Sequence, residues 1–159
     1  MIFKATPDRL VRTVTTTITI GFLILIVIGL GAFIVKGTIV LFMPAFIVAL
    51  VYLFSYLYHP VNYEISNGQV IIHRPAGRVA IEIDTIQSCE LLENGRLKYS
   101  IRTFGVGGLF GYYGKFYHTG IGAMIWYATR CDRAVMIIAG NQKKIILTPD
   151  QPEEFIRQL

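Results

Sequence analysis

Continuous apolar sequence fills the range Val14–Tyr58, and Lys36 near its midpoint is the one charged residue within it. A helix needs about 20 mostly apolar residues to cross the core of a bilayer. Each half of this range is long enough to do so. The pattern therefore predicts a transmembrane helical hairpin over residues 13–59, with spans at about 14–35 and 38–58 and a tip at Lys36-Gly37.

Positive charge flanks this apolar range, and the predicted tip carries a single lysine. The flanking cations are Lys4, Arg9 and Arg12 before the range and Arg74 and Arg78 after it. Since lysine and arginine concentrate in the cytoplasmic segments of membrane proteins, we predict an integral protein of the cell membrane. Residues 1–12 would be a cytoplasmic lead, and both termini would lie in the cytoplasm.

The first helix should begin inside the lead. Thr6 is a suitable N-cap, Pro7 favours the first helical position, and Asp8 would lie near the positive end of the helix dipole. The sequence therefore predicts a helix that starts at Pro7.

After Val61 the apolar residues recur with a period of two, which indicates half-buried strands. Asn67-Gly68 and Asn94-Gly95 are strong hairpin signals, and Gly140-Asn141 marks a third turn. The pattern predicts about seven antiparallel strands in a β-barrel or sandwich over residues 60–159. Eight segments are candidates for these strands: 62–66, 69–74, 78–83, 88–93, 96–104, 121–131, 134–139 and 143–148.

A short helix is predicted at the C-terminus, over residues 151–159. Asp150 is a fitting N-cap, and Glu153 follows three residues later, as in a capping box. Phe155, Ile156 and Leu159 form one apolar stripe on that helix. We expect this stripe to cover the β domain.

Composition excludes several classes of function. The net charge of +5 is spread along the chain, whereas a nucleic-acid-binding domain would concentrate it on one face. Cys89 and Cys131 lie far apart and outside any metal-ligand spacing. Ser55 and His59 lie four residues apart, but a supporting acid is lacking, so an interfacial polar anchor is the better interpretation. We predict no catalytic residues, no cofactor and no metal site.

The glycine-rich segment 105–117 is the candidate functional site. Successive glycines allow backbone N–H groups to converge on an anion, while interleaved aromatic residues suit burial or insertion into a bilayer. Three interpretations stay open: a structural bend or bulge, a loop that contacts the membrane, and a ligand or peptide site. The candidate residues are Arg102, Gly105, Gly107, Gly108, Gly111, Tyr112, Tyr113, Gly114 and Lys115.

Several stretches of the tail recur together in one family. They are Tyr63–Ser66, the pair Ile83 and Ile86, Arg102–Phe116, Tyr127–Thr129 and Thr148–Phe155. With these stretches, the segment from about residue 60 to the end resembles the bacterial pleckstrin-homology-like (PH-like) domains that follow one or two transmembrane helices. The resemblance implies a membrane-anchored α+β fold, in which a C-terminal helix caps the strands, and a location at the bacterial cell membrane.

The resemblance also implies where a lipid headgroup would bind. PH domains that bind phosphoinositides typically carry several Lys and Arg residues around the loop between the first two strands, and here that loop is only Ser66-Asn67-Gly68. We therefore predict a non-catalytic module that serves as a scaffold or regulator for an unidentified protein partner. The alternative is a module that senses lipid headgroups through residues 105–117 and nearby cations. A small membrane enzyme or transport subunit is a third hypothesis.

Overall fold

A computed structural model describes residues 1–37 and 42–159 of the chain. Three α-helices, one short 3-10 helix (Ile83–Thr85) and ten strands are present in these residues. The helices are α1 (Arg9–Lys36), α2 (Phe42–Tyr58) and α3 (Pro152–Arg157). The strands are β1 (Ile2–Lys4), β2 (Asn62–Ser66), β3 (Gln69–His73), β4 (Arg78–Glu82), β5 (Ile86–Leu91), β6 (Ile101–Gly107), β7 (Tyr112–His118), β8 (Gly122–Ala128), β9 (Val135–Ala139) and β10 (Lys143–Leu147).

The two N-terminal helices differ in length. Helix α1 has 28 residues, which at 1.5 Å per residue give about 42 Å, so it is long and apolar enough to cross a membrane. Helix α2 has 17 residues, or about 26 Å, which is short of the roughly 30 Å core of a bilayer. The span predicted at 38–58 includes residues 38–41, which lie outside the described residues. The described part of the chain thus contains one helix of spanning length, and the second predicted span stays a prediction.

The predicted start of α1 is wrong by two residues. Asp8 is the N-cap, and its carboxylate accepts a hydrogen bond from the Val11 amide at 2.7 Å. Thr6 instead donates to Asp150, from its amide at 3.0 Å and from its hydroxyl at 2.6 Å. The prediction failed because Thr6 meets a partner 144 residues away in the sequence.

The same contact overturns the predicted cap of α3. Asp150 is occupied by Thr6, and Gln151 takes the N-cap position. Glu153, predicted to close a capping box, pairs with Arg133 at 3.0 Å. Asp150 and Glu153 therefore bind residues distant in sequence and do not cap α3.

The first sheet has the strand order β1-β2-β3-β4 and is antiparallel throughout. Its first strand comes from the predicted cytoplasmic lead, where Phe3 lies opposite Tyr63. The hairpin predicted at Asn67-Gly68 is confirmed. Both turn residues have positive φ, 51° and 72°, as a type I′ turn requires.

The second sheet has the strand order β5-β9-β10-β8-β7-β6. Strands β8 and β10 are parallel, and the other neighbours are antiparallel. The described strands thus number ten in two sheets, where about seven antiparallel strands were predicted. The hairpin predicted at Asn94-Gly95 is wrong, because β5 pairs with β9 and β6 pairs with β7.

Two clusters of buried side chains lie on opposite faces of the second sheet. The first joins both sheets and α3, through residues such as Tyr63, Ile137 and Phe155. The second contains Trp126 and also Val11 from the first turns of α1. Helix α1 is therefore part of the packed β domain at its N-terminal end.

Cys89 on β5 packs against the first cluster, and burial raises the pKa of its thiol from 9.0 to about 11. A rise of two pKa units lowers the thiolate fraction at pH 8 about 100-fold, and the thiolate is the reactive form. Because a more basic thiolate is also more nucleophilic, we expect alkylation to be at least about tenfold slower than for an ordinary thiol. The rate should rise as the pH approaches 11. The measurement is iodoacetamide labelling of a Cys131→Ser variant.

The same variant unfolded in urea is the control for Cys89. Equal rates in the folded and unfolded chains would contradict the shifted pKa.

The raised pKa of Cys89 also makes the stability of the fold depend on pH. Since the folded pKa is the higher one, Cys89 favours folding below pH 9.0, and this contribution is lost as the pH rises through about 11.

Candidate functional site

The glycine-rich segment forms the β6–β7 hairpin and its tip, residues 108–111. The hairpin carries all nine candidate residues. Arg102, Gly105 and Gly107 lie on β6, Gly108 and Gly111 lie in the tip, and Tyr112, Tyr113, Gly114 and Lys115 lie on β7.

Gly105 and Gly114 face each other across the two strands, and each has a φ of 118°. A β-carbon on either residue would lie 2.8 Å from the α-carbon of the other and closer still to a backbone carbonyl oxygen. The two backbones therefore approach each other at a distance that only glycine allows. At these two positions glycine is required for the close pairing of β6 and β7.

The tip of the hairpin lies against α1. A β-carbon on Gly108 would be 3.5 Å from the Val14 side chain, and the Phe110 amide donates to the Thr15 hydroxyl at 3.0 Å. The Gly108 amide donates to the Gly111 carbonyl at 2.9 Å. Because these two amides are bonded within the chain, they are not directed at an external anion.

Phe110 fixes the tip to α2 as well. Its ring centroid lies 5.1 Å from that of Tyr52 and 5.5 Å from those of Tyr56 and His59. The Tyr52 hydroxyl in turn lies 2.9 Å from the Thr19 hydroxyl of α1. The tip is thus held between the cytoplasmic ends that were predicted for the two helices.

Tyr113 provides a further link between the hairpin and α2. Its hydroxyl donates to the Ser55 carbonyl at 2.5 Å, and burial raises the pKa of Tyr113 to about 12. The neighbouring His59 contacts the Tyr56 carbonyl through Nδ1 at 2.5 Å. The Ser55 backbone carbonyl is thus bonded to a tyrosine hydroxyl of the hairpin, and the His59 ring is bonded to a backbone carbonyl of α2.

The candidate cations do not converge. Arg102 lies with Lys98, Tyr112 and Trp126 in a groove of about 590 Å³ on one flank of the hairpin. Lys115 lies in a different groove, of about 460 Å³, beside the β9–β10 turn. The structure therefore distributes the nine predicted residues over three places: the helix interface, the Arg102 groove and the Lys115 groove.

A third groove, of about 750 Å³, lies between α2 and the hairpin. Gly105, Tyr113 and Gly114 line it, together with Arg74, which was not among the predicted site residues. The Arg74 guanidinium carbon lies 5.4 Å from the centroid of the Tyr58 ring. The sequence signal for this site was weak, since Arg74 follows a strand rather than a recognisable motif.

Comparison with known proteins agrees with the fold. A family model described as bacterial PH domain matches residues 61–159, which is well over half of the chain. No curated protein and no solved structure gives a match. The predicted PH-like domain is thereby confirmed, and β1, α1 and α2 lie outside the matched residues.

Within residues 1–37 and 42–159, no group of three or more His, Cys, Asp or Glu side chains is arranged to hold a metal ion.

Proposed function

The chain belongs to the bacterial PH domain family, and from this premise we propose that it is a non-catalytic, membrane-anchored module. The helix pair holds the β domain in a fixed orientation at the cytoplasmic surface of the bacterial cell membrane, where it binds a protein partner. The observation that carries this proposal is the tip of the β6–β7 hairpin, which is seated between α1 and α2 through Phe110.

Short connections support a fixed orientation. Strand β1 ends at Lys4 and α1 begins at Arg9, while α2 ends at Tyr58 and β2 begins at Asn62. Both helices are therefore joined to the first sheet by three or four residues. With the seated tip, these connections make the helix pair and the β domain one packed unit rather than a domain on a loose tether.

The length of α1 beyond the seated tip supports insertion into a bilayer. From Thr15, which binds the tip, to Lys36 the helix rises about 32 Å, close to the roughly 30 Å hydrocarbon core. Large apolar side chains are exposed along this part, among them Leu23, Val27 and Ile34. Exposure of this kind is unfavourable in water and favourable in lipid.

Extraction of the full chain tests the anchoring. We expect it to stay in the membrane pellet after carbonate treatment, and a reporter fused after Leu159 to be active on the cytoplasmic side only. Release by carbonate would refute the membrane anchor. Activity on the outer side alone would refute the orientation while leaving the anchor in place.

The open edge of β6 is the surface that we assign to the partner. Strand β6 ends the second sheet. Its first residue, Ile101, is 66% exposed, and Tyr99, two residues before it, is 82% exposed. An unpaired strand edge with apolar side chains offers both backbone hydrogen bonds and contact area to a second protein. Headgroup sensing by the glycine tip has less support, because its Gly108 and Phe110 amides are already bonded.

Photo-cross-linking in membranes tests this surface. A cross-linker in place of Ile101 should give a discrete adduct of higher mass, and one in place of Gln142, an exposed turn residue, should not. Adducts of the same size from both positions, or from neither, would contradict the assignment of the β6 edge.

The double variant Thr15→Val/Tyr113→Phe tests the seated tip. It removes the hydrogen bonds to the Phe110 amide and to the Ser55 carbonyl, each worth about 1 kcal/mol. We expect the amides of residues 108–111 to exchange hydrogen about 10-fold to 30-fold faster in detergent. Thr13→Val, at an exposed position of α1, is the control and should leave exchange unchanged. Unchanged exchange in the double variant would show that these bonds do not hold the tip.

A further inference from the structure

The groove between α2 and the β6–β7 hairpin is apolar along most of its length. Its apolar lining residues are Ile47, Leu50, Val51, Phe54, Phe104 and Val106. Gly105 and Gly114 form part of the hairpin wall, and the lack of side chains there leaves the groove open. The Phe104 ring is 75% exposed at its rim. Exposure of such an apolar surface to water is unfavourable.

One end of the groove is cationic. Arg74 lies there with its guanidinium against the Tyr58 ring, and its Nε is buried without a hydrogen-bond partner among the described residues. The salt bridges in the described part of the chain do not include Arg74. A buried guanidinium N–H without an acceptor is costly, and a phosphate oxygen is an acceptor that arginine binds well.

The groove runs along α2, and its length is close to the thickness of one bilayer leaflet. Tyr58 and Arg74 mark the end of the groove at the C-terminus of α2, next to the β domain, and Ile47 marks the opposite end, in the N-terminal half of α2. Between Ile47 and Tyr58 the helix rises about 16 Å, close to half of the roughly 30 Å hydrocarbon core. The charged end thus lies where headgroups lie, and the apolar end lies among acyl chains.

We propose that this groove binds one phospholipid, whose phosphate accepts a hydrogen bond from Arg74 and whose acyl chain lies between Phe54 and Phe104. The inference rests on the proposed membrane anchoring, since the groove opens onto the exposed face of α2. The lipid would cover the Phe104 ring and bring a phosphate to the Arg74 guanidinium. It would also pack α2 against the hairpin, in addition to the contacts of Phe110 and Tyr113.

Native mass spectrometry of the full chain in detergent tests the site. Three probes are added separately: phosphatidylglycerol, a diacylglycerol with the same acyl chains, and glycerol phosphate. We expect one phosphatidylglycerol per chain to be retained, and about tenfold more of the other two probes to be needed for equal occupancy, because each lacks one half of the interaction.

Two variants assign the binding to the groove. Arg74→Gln should weaken retention of phosphatidylglycerol about tenfold, to the level of the diacylglycerol. Arg78→Gln removes the same charge from an exposed position nearby and should retain the lipid. Val51→Trp should fill the groove and lower occupancy by both lipids, while Leu53→Trp, whose position does not line the groove, should not.

Each contrary result has a distinct meaning. Equal retention by Arg74→Gln and Arg78→Gln, or equal binding of diacylglycerol and phosphatidylglycerol, would overturn the role of the phosphate. Binding of glycerol phosphate as tight as that of the lipid would overturn the acyl-chain groove. The carbonate extraction is independent of these readouts, so a chain that stays in the membrane but retains no lipid refutes this site alone.

Discussion

Replacing Gly105 by alanine should destabilise the protein by about 3 kcal/mol or prevent folding. The residue has a φ of 118°, which alanine rarely adopts, and its new β-carbon would lie 2.8 Å from the Gly114 α-carbon. Backbone atoms cannot move aside as a flexible side chain can, so the hairpin would have to separate. Gly114→Ala meets the same obstacle from the other strand and should have an effect of the same size.

The measurement is urea unfolding in detergent micelles, followed by the fluorescence of Trp126, the single tryptophan. Gly77→Ala is the matched control, because Gly77 also has a positive φ, 82°, but has open space where the β-carbon would be placed. Its cost should be about 1 kcal/mol, from backbone conformation alone. If Gly105→Ala cost no more than Gly77→Ala, the close approach of β6 and β7 would not be the reason for the glycine pair.

Replacing Tyr63 by phenylalanine should cost about 2–3 kcal/mol, although it removes one oxygen atom. The side chain is fully buried, and its hydroxyl donates to the Tyr127 carbonyl at 2.6 Å and accepts from the Thr148 amide at 3.2 Å. Tyr63 belongs to the first sheet, while Tyr127 lies in the second and Thr148 directly follows its strand β10. The hydroxyl therefore links the two sheets, and its loss removes both hydrogen bonds from a fully buried site.

Tyr117→Phe is the control for this variant, since Tyr117 is exposed on β7 and its change should stay within about 0.5 kcal/mol. The same urea titration gives both values. A Tyr63→Phe chain as stable as the Tyr117→Phe chain would show that water replaces the hydroxyl at no cost. That result would remove Tyr63 as the polar link between the sheets.

The buried environment of Tyr63 also appears in its acid–base behaviour. Burial raises the pKa of this phenol to about 12, and the hydrogen bonds with Thr148 oppose the shift. Since the folded pKa exceeds the usual 10.0, Tyr63 favours folding below pH 10.0, and this contribution is lost as the pH rises through about 12.

Local signals predicted the elements that depend on near neighbours. The Asn67-Gly68 hairpin follows from two residues that accept positive φ, and the strands after Val61 follow from alternation over five or six residues. Asn94-Gly95 carries the same signal but forms no hairpin, since Leu92 and Leu97 on either side of it are buried in the second cluster. Tertiary packing decided between two turns that look alike in sequence.

The helix caps show the same limit. Thr6 and Asp150 each have a suitable side chain for an N-cap, but they form a hydrogen bond with each other across 144 residues of sequence. Strand β1 is a further case, because its three residues are too few for a periodic pattern and are stabilised by pairing with β2. A partner that is distant in sequence cannot be recognised from a local pattern.

The sequence by itself determined that an apolar N-terminal region precedes a PH-like β domain, because hydrophobic periodicity and length decide which segments are buried in lipid, in a core or in neither. It also singled out the glycine-rich segment. Only the tertiary structure decided what that segment does, since its tip is bonded to Thr15 and its glycine pair permits two backbones to meet. The groove at Arg74 likewise exists only in three dimensions, because it is formed by a helix, a strand end and a hairpin that the sequence keeps apart.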